Sequence, residues 1–188
     1  MNLKFFLRKI NCPFDEIIRA IPENKKILDL GCGDAYILNF LSKKKFENYT
    51  GIDPKLKKKY NQKNNKIELK SIYAEDYLDK IQKYNCILMI DLMHHINKER
   101  QESFIKNVLK NMRSNSILIY KDMSNRNTFF GLMNKIHDLF YNLQIINYFN
   151  SKRIIELSSR LPGKYKIKHF YKRKFWYDHE FLIINKIR

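Results

Sequence analysis

The sequence contains few of the residues that cross-link or interrupt a chain. Its three cysteines, Cys12, Cys32 and Cys86, are scattered and form no C-x-x-C pair. We therefore expect neither a disulfide framework nor a zinc site, and no metal ligand set stands out elsewhere. With five glycines and four prolines in 188 residues, no flexible linker separates two domains. These scarcities favour one domain in a reducing compartment, so we predict a cytoplasmic protein.

Long apolar runs are also missing. No run approaches the roughly 20 residues that a membrane-spanning helix requires, so we predict no transmembrane segment. The apolar residues near the N-terminus are interrupted by Lys4, Arg8 and Lys9, and we expect no signal peptide there. The hydrophobic content of 44% is nevertheless sufficient for a full core, which excludes intrinsic disorder as the main state.

Acidic residues are scarce compared with basic ones. The chain has 19 Asp and Glu against 37 Lys and Arg, for a formal net charge of +18. Such a charge attracts polyanions, but it does not specify a fold or a ligand. Lys (28), Ile (25) and Asn (20) together dominate the chain, as expected where adenine- and thymine-rich codons prevail. The charge alone therefore does not identify a nucleic-acid-binding protein.

Apolar segments alternate with helical patterns through most of the chain. Strands are predicted at residues 26–30, 49–53, 67–72, 85–91, 116–120, 164–171 and 180–186. Helices are predicted at residues 14–21, 35–44, 98–112, 129–149 and 152–160. This order predicts an α/β doubly wound, mostly parallel sheet. The last two strands have no room for a crossover helix between them, so they should be antiparallel.

A glycine-rich turn joins the first strand to the following helix. Asp29, Gly31 and Gly33 lie in this turn, and Asp53 ends the second strand 20 positions after Gly33. Glycines let the backbone approach a ligand closely and present amide groups to an anion. An acidic residue at the next strand end is placed to accept hydrogen bonds from a ribose diol. Together these features predict a ligand that contains adenosine.

Two classes of cofactor compete for this turn. A nicotinamide or flavin fingerprint requires glycine or alanine at position 36, which here is Tyr36. The alternative pattern, an acidic residue followed by Gly-x-Gly-x-Gly or Ala, fits through Ala35. On this motif and Asp53, the chain resembles the class I S-adenosylmethionine-dependent methyltransferases, in particular those that act on small molecules. The resemblance implies a Rossmann-like, seven-stranded fold with an antiparallel C-terminal strand.

The resemblance also implies roles for individual residues. The loop of Asp29, Gly31, Cys32 and Gly33 would hold the methionine part of S-adenosyl-L-methionine. The ribose and adenine would be bound by residues after the second and third strands, and the methyl donor would face the end of the fourth strand. These positions are Asp53 with Pro54, Glu75 with Asp76, and Asp91 with Leu92.

Two histidines follow the fourth strand directly. His94 or His95 could act as a general base near the methyl group, since an imidazole titrates close to neutral pH. Alternatively, one histidine packs against or caps the next helix while the other is solvated. Of the two, we favour His95. Lys121 and Asp122 close the fifth strand on the same rim, and Lys121 is a third catalytic candidate.

The whole chain, residues 1–188, is interpreted as a single methyltransferase domain. It divides into an N-terminal helical cap (1–24), a cofactor-binding half (25–122), a helical lid over the substrate (123–163) and a closing hairpin (164–188). The apolar face of the predicted helix at 129–149 is typical of a core helix, or of a lid over a small or lipid-like acceptor. The basic N-terminus could then contact a membrane surface peripherally.

Other functions remain open from the sequence. An RNA methyltransferase could use Asp91 and Lys121 as part of a Lys-Asp-Lys-Glu set, which Lys25 or Lys26 and Glu156 or Glu180 would complete. The chain could also be a non-catalytic, cofactor-binding partner of another protein. Lysines recur with a period of two along one predicted strand, where they either bind RNA or protect a sheet edge. These are Lys164, Lys166, Lys168, Lys172 and Lys174.

Overall fold

A computed structural model describes residues 8–41, 44–56, 66–124, 149–175 and 177–188. Seven strands form one sheet in the order β3-β2-β1-β4-β5-β7-β6. The strands are β1 (Lys26–Leu30), β2 (Asn48–Ile52), β3 (Ile67–Lys70), β4 (Cys86–Ile90), β5 (Ser116–Met123), β6 (Tyr165–Lys174) and β7 (Tyr177–Lys186). The first five strands are mutually parallel, whereas β7 is antiparallel to both β5 and β6. The predicted α/β doubly wound fold with an antiparallel C-terminal strand is confirmed.

Helices cover both faces of this sheet. They are α1 (Phe14–Ala20), α2 (Leu38–Leu41), α3 (Lys98–Asn111) and α4 (Ser151–Arg160), with 3₁₀ helices at Ala74–Lys83 and Met93–His95. Asn97 and Asn150 cap α3 and α4, because each side-chain oxygen accepts a backbone N–H from two residues later. The described residues contain no helix long and apolar enough to cross a membrane.

The alternation of side chains along each central strand fills two cores. Leu28, Ile87 and Leu118 pack with α3, α4 and the first 3₁₀ helix, whereas Ile27, Leu88 and Ile119 pack with α1 and α2. All five residues of β4 are buried, because this strand has covering helices on both faces. Since the parallel strands run in one direction, the carboxyl ends of β1, β2, β4 and β5 meet at one edge.

Local predictions differ from the structure at several points, among them β6, which extends to Lys174, and β7, which begins at Tyr177. The helix predicted from Ala35 begins at Leu38, because Gly31, Gly33 and Ala35 all have positive φ and continue the turn. The 3₁₀ helix Ala74–Lys83 was not predicted between the third and fourth strands. β5 extends to Met123, so Lys121 and Asp122 lie within the strand. Most of the predicted lid, including nearly all of the helix at 129–149, lies outside the described residues.

The first described part of the chain is anchored to the antiparallel hairpin. We call residues 8–21 the N-terminal segment. Lys172 forms a 2.8 Å ion pair with Glu16, and Lys174 Nζ donates to the carbonyl of Cys12 at 3.0 Å. Buried His179 donates from Nε2 to the carbonyl of Asn11 at 2.8 Å. Two lysines of the edge strand β6 therefore fix another segment of the same chain.

Candidate active site

The glycine loop is tied to the end of β2. The N–H groups of Gly31 and Cys32 both donate to the carbonyl of Ile52, at 2.8 and 3.0 Å. The N–H of Gly33 donates to Asp53 Oδ2 at 2.9 Å. Each of these three amide groups therefore has a partner within the chain. The loop is consequently held in place before any ligand is considered.

The two glycines of this loop are required for different reasons. Gly31 has φ +73°, and a Cβ there would lie 2.7 Å from Leu92 Cδ1. Gly33 has φ +54°, but a Cβ there would meet nothing within 4 Å. Gly31 is therefore constrained by packing against buried Leu92. Gly33 instead borders open space at the carboxyl edge of the sheet.

Asp53 presents a fixed carboxylate next to that space. Its Oδ2 accepts from Gly33, and its Oδ1 accepts from the N–H of Lys55 at 2.8 Å. Each oxygen keeps a further lone pair for a hydroxyl donor. Pro54 is exposed just beyond it. Half-buried Glu75 and exposed Asp76 open the 3₁₀ helix that follows the neighbouring strand β3.

Asp29 is buried inside β1, below the glycine loop. Its Oδ2 accepts a 2.6 Å hydrogen bond from the hydroxyl of Tyr49, which lies on the neighbouring strand β2. Burial raises the pKa of Asp29 to about 7, although the Tyr49 hydrogen bond opposes this rise. The group is therefore divided between its neutral and charged forms near physiological pH.

A narrow cleft of about 20 Å³ lies beside the loop. It is lined by Arg8, Phe14, Asp29, Gly31, Cys32, Tyr36, Ile37 and Ile90. Phe14 stacks on Phe40 with ring centroids 4.3 Å apart, which fixes the N-terminal segment over this part of the sheet. The cleft is thus formed jointly by the segment and the carboxyl ends of β1 and β4.

A buried ion pair joins the ends of β4 and β5. Lys121 Nζ lies 2.6 Å from Asp91 Oδ1, and the lysine side chain is only 1% exposed. Burial opposes both charges, but the pairing outweighs it and lowers the pKa of Asp91 while raising that of Lys121. Asp91 also lies 3.9 Å from a guanidinium nitrogen of Arg8. Lys121 is therefore held protonated, which opposes a role as a general base.

His94 and Asp122 form a second polar pair on the same rim. Nδ1 of His94 lies 2.6 Å from Asp122 Oδ1, and both side chains are almost fully buried. The other carboxylate oxygen, Asp122 Oδ2, is also buried and has no hydrogen-bond partner among the described residues. The 3₁₀ helix Met93–His95 places His94 over β5, close to the end of β4.

His95 lies beside this pair but is more exposed. Its ring centroid is 4.1 Å from that of His94. Partial burial and the adjacent His94 lower the pKa of His95, so its imidazole is largely neutral at physiological pH. Neither histidine caps the following helix, because Asn97 occupies the cap position.

Comparisons with known proteins agree with this geometry. A family model described as a methyltransferase domain matches residues 6–160. The chain belongs to this methyltransferase domain family. As the sequence resemblance predicted, it is a class I S-adenosylmethionine-dependent methyltransferase, an enzyme whose cofactor is S-adenosyl-L-methionine. A search of curated proteins finds no match to this methyltransferase.

Solved structures share the fold of the methyltransferase at low sequence identity. A SAM-dependent methyltransferase from Archaeoglobus fulgidus is 14% identical with a TM-score of 0.68, covering 98% of this chain and 100% of that one. The N-methyltransferase NodS from Bradyrhizobium japonicum is 10% identical with a TM-score of 0.63, covering 100% and 99%. The Burkholderia thailandensis 1,6-didemethyltoxoflavin-N1-methyltransferase is 9% identical with a TM-score of 0.67, covering 94% and 78%.

Sequence reasoning predicted that the motif residues share one edge, but it did not identify the contacts of three side chains at the candidate site. These are Arg8 in the cleft, Tyr49 bonded to Asp29, and Asp122 as the partner of His94. Asp122 was recognisable as a residue of the same rim, although its pairing was not. Tyr49 and Arg8 carry no local motif, because only the tertiary fold brings them to the loop.

Substitutions at the two glycines should separate packing from binding. We expect Gly31→Ala to lower the free energy of unfolding by about 2–4 kcal/mol, since it adds a clash with Leu92 to left-handed strain. Gly33→Ala should lower the free energy of unfolding by only about 1–2 kcal/mol, from backbone strain alone. It should, however, weaken the binding of S-adenosylhomocysteine. Denaturant unfolding and calorimetry measure the two effects. Equal losses of stability in both variants would contradict the packing assignment.

The buried carboxyl of Asp29 should make stability depend on pH. Because its pKa is raised from 3.8 to about 7, the folded state holds a proton that the unfolded state releases between these values. The wild type should therefore lose stability relative to Asp29→Asn as pH rises through this window. Denaturant unfolding midpoints measured at about pH 4, 5, 6 and 7 test this. Asp79→Asn, at an exposed position, is the control, and its stability should depend on pH as that of the wild type does. If the difference in stability between Asp29→Asn and the wild type did not change with pH, the raised pKa of Asp29 would be refuted.

Proposed function

We propose that this methyltransferase methylates an oxygen or nitrogen nucleophile of a small molecule, with His94 as general base and Asp122 as its positioning residue. The main observation that supports this proposal is the 2.6 Å contact between His94 Nδ1 and Asp122 Oδ1 at the carboxyl edge of the sheet. A carboxylate at Nδ1 fixes the imidazole so that Nε2 is the nitrogen that takes a proton from the acceptor. We thus favour His94 over His95, although the sequence alone favoured the latter.

The residues at the glycine loop fit S-adenosyl-L-methionine. Open space beside Gly33 admits a ligand, and the fixed Asp53 carboxylate suits a ribose diol. We assign the methionine part to the loop of Asp29, Gly31, Cys32 and Gly33. We assign the ribose and adenine to Asp53 with Pro54 and to Glu75 with Asp76, and the region of the methyl group to Asp91 and Leu92. The bound cofactor supplies a methyl group on a positively charged sulfur.

The protein's own contribution is position and proton removal. The Ile52 carbonyl and Asp53 hold the loop, so binding requires little reordering of the backbone there. Leu92 packs against Gly31 and excludes water between the loop and the end of β4. His94, on the 3₁₀ helix after β4, and Asp122, on β5, lie at the same edge, where an acceptor hydroxyl or amine would lose its proton.

A small acceptor is favoured over RNA by the environment of Lys121. Ribose 2′-O-methylation by a Lys-Asp-Lys-Glu set would need an amine free to lose its proton, but Lys121 is buried and paired with Asp91. Glu180, one of the residues proposed to complete the set, lies opposite Asp122 on β7, but its carboxylate is paired with Ser151 and His169. Two other proposed residues lie away from this rim. Lys26 begins β1 at the opposite edge and pairs with Glu47, and Glu156 on α4 pairs with Arg153. One structural neighbour, the 1,6-didemethyltoxoflavin-N1-methyltransferase, is named for a small acceptor, which agrees with this proposal.

We propose a cytoplasmic location on the evidence of the cysteines. Cys12, Cys32 and Cys86 are all free and buried, which agrees with a reducing environment. A lipid-like acceptor and peripheral membrane contact depend on residues 1–7 and 125–148, which lie outside the described residues.

Substitution of the two histidines tests the assignment of the base. With an acceptor found by screening small amines and alcohols for transfer of labelled methyl groups, we expect His94→Gln to lower kcat by about 10²–10⁴-fold. Asp122→Asn should lower kcat less, because the imidazole remains but loses its orienting carboxylate. His95→Gln should change kcat by less than about tenfold.

Cofactor binding and a matched histidine provide the controls. Calorimetry should show that His94→Gln keeps its affinity for S-adenosylhomocysteine, so that a fall in kcat reflects chemistry. His169→Gln on β6, where His169 pairs with Glu180, should retain wild-type kcat. A His94→Gln enzyme with full kcat would exclude His94 as the base.

A further inference from the structure

Arg8 is the cationic residue among those that line the cleft beside the glycine loop. The other described lining residues are apolar, uncharged or, in Asp29, acidic. The Arg8 side chain is 32% exposed, so its guanidinium remains accessible at the mouth of the cleft. A cation at this position lies on the side of the loop that we assign to the methionine part of the cofactor.

The carboxylate nearest to Arg8 is already neutralised by another group. Asp91 lies 2.6 Å from Lys121 Nζ through Oδ1, whereas its contact with Arg8 through Oδ2 is 3.9 Å long. At that distance Arg8 and Asp91 form an ion pair without a hydrogen bond of ordinary length. The guanidinium therefore keeps donors for a stronger acceptor.

The methionine part of S-adenosyl-L-methionine has both an ammonium and a carboxylate. The glycine-loop amides that could have bound the carboxylate already donate to Ile52 and Asp53. Asp29 suits the ammonium but would repel the carboxylate. A guanidinium fork matches a carboxylate geometrically and binds it through two parallel hydrogen bonds.

We propose that Arg8 binds the α-carboxylate of the cofactor and thereby selects ligands that carry the amino-acid part. This inference rests on the proposed placement of the methionine part at the glycine loop. It makes the N-terminal segment a component of the cofactor site. The contacts of Asn11, Cys12 and Glu16 with the hairpin then position Arg8 at the cleft.

Ligands with and without the carboxylate provide the test. Calorimetry compares S-adenosylhomocysteine, its decarboxylated analogue and 5′-methylthioadenosine, which lacks the amino-acid part. We expect Arg8→Ala to lower the affinity for S-adenosylhomocysteine by about 10–100-fold. The affinity for the other two ligands should change by less than about twofold. Arg8→Lys should recover part of the loss, since lysine keeps the charge without the fork.

Arg19→Ala is the matched control in the same N-terminal segment. Arg19 is exposed and pairs with Glu16, outside the cleft, so this variant should bind all three ligands as the wild type does. If Arg8→Ala lowered the affinity for all three ligands equally, or for none of them, the assignment of Arg8 to the carboxylate would be overturned. The proposed location of the cofactor would be unaffected by that result. If the wild type did not bind S-adenosylhomocysteine, the proposed placement of the cofactor would fail together with this inference.

Discussion

The ion pair between Lys121 and Asp91 lies between the two halves of the candidate active site. It links β4 to β5 at their carboxyl ends, with the lysine fully buried. Removing one partner of such a pair would leave an uncompensated charge, at a cost of roughly 3–5 kcal/mol. Arg8 and the glycine loop lie on one side of the pair, and His94 with Asp122 lies on the other. The pair therefore fixes the spacing between the cofactor region and the proposed base.

The sequence predicted the fold and the glycine motif because these depend on local patterns. Gly31, Gly33 and Asp53 follow strand ends directly, so the parallel sheet brings them together without knowledge of any other contact. The contacts of Asp29 with Tyr49 and of His94 with Asp122 depend on strand register and on a 3₁₀ turn, which have no local signature. The start of α2 was placed too early because Ala35, unlike most alanines, has a positive φ of 53°.

Among the described residues, the edge that carries the candidate site has several acidic side chains despite the positive net charge of the chain. Asp53 follows β2, Asp91 follows β4, and Asp122 lies near the end of β5. Lysines are prominent instead on the edge strand β6, where Lys172 and Lys174 hold the N-terminal segment. The net charge of +18 is thus a poor guide to the ligand that the site recognises.

The contacts between the N-terminal segment and the antiparallel hairpin have a consequence for folding. Asn11 and His179 are separated by 168 positions, and Cys12 and Lys174 by 162. Closing loops of this length is entropically costly, and such non-local contacts slow folding. On a translating ribosome, the central parallel strands would emerge well before β7 could anchor the segment. The cleft would therefore be completed only after the rest of the sheet has assembled.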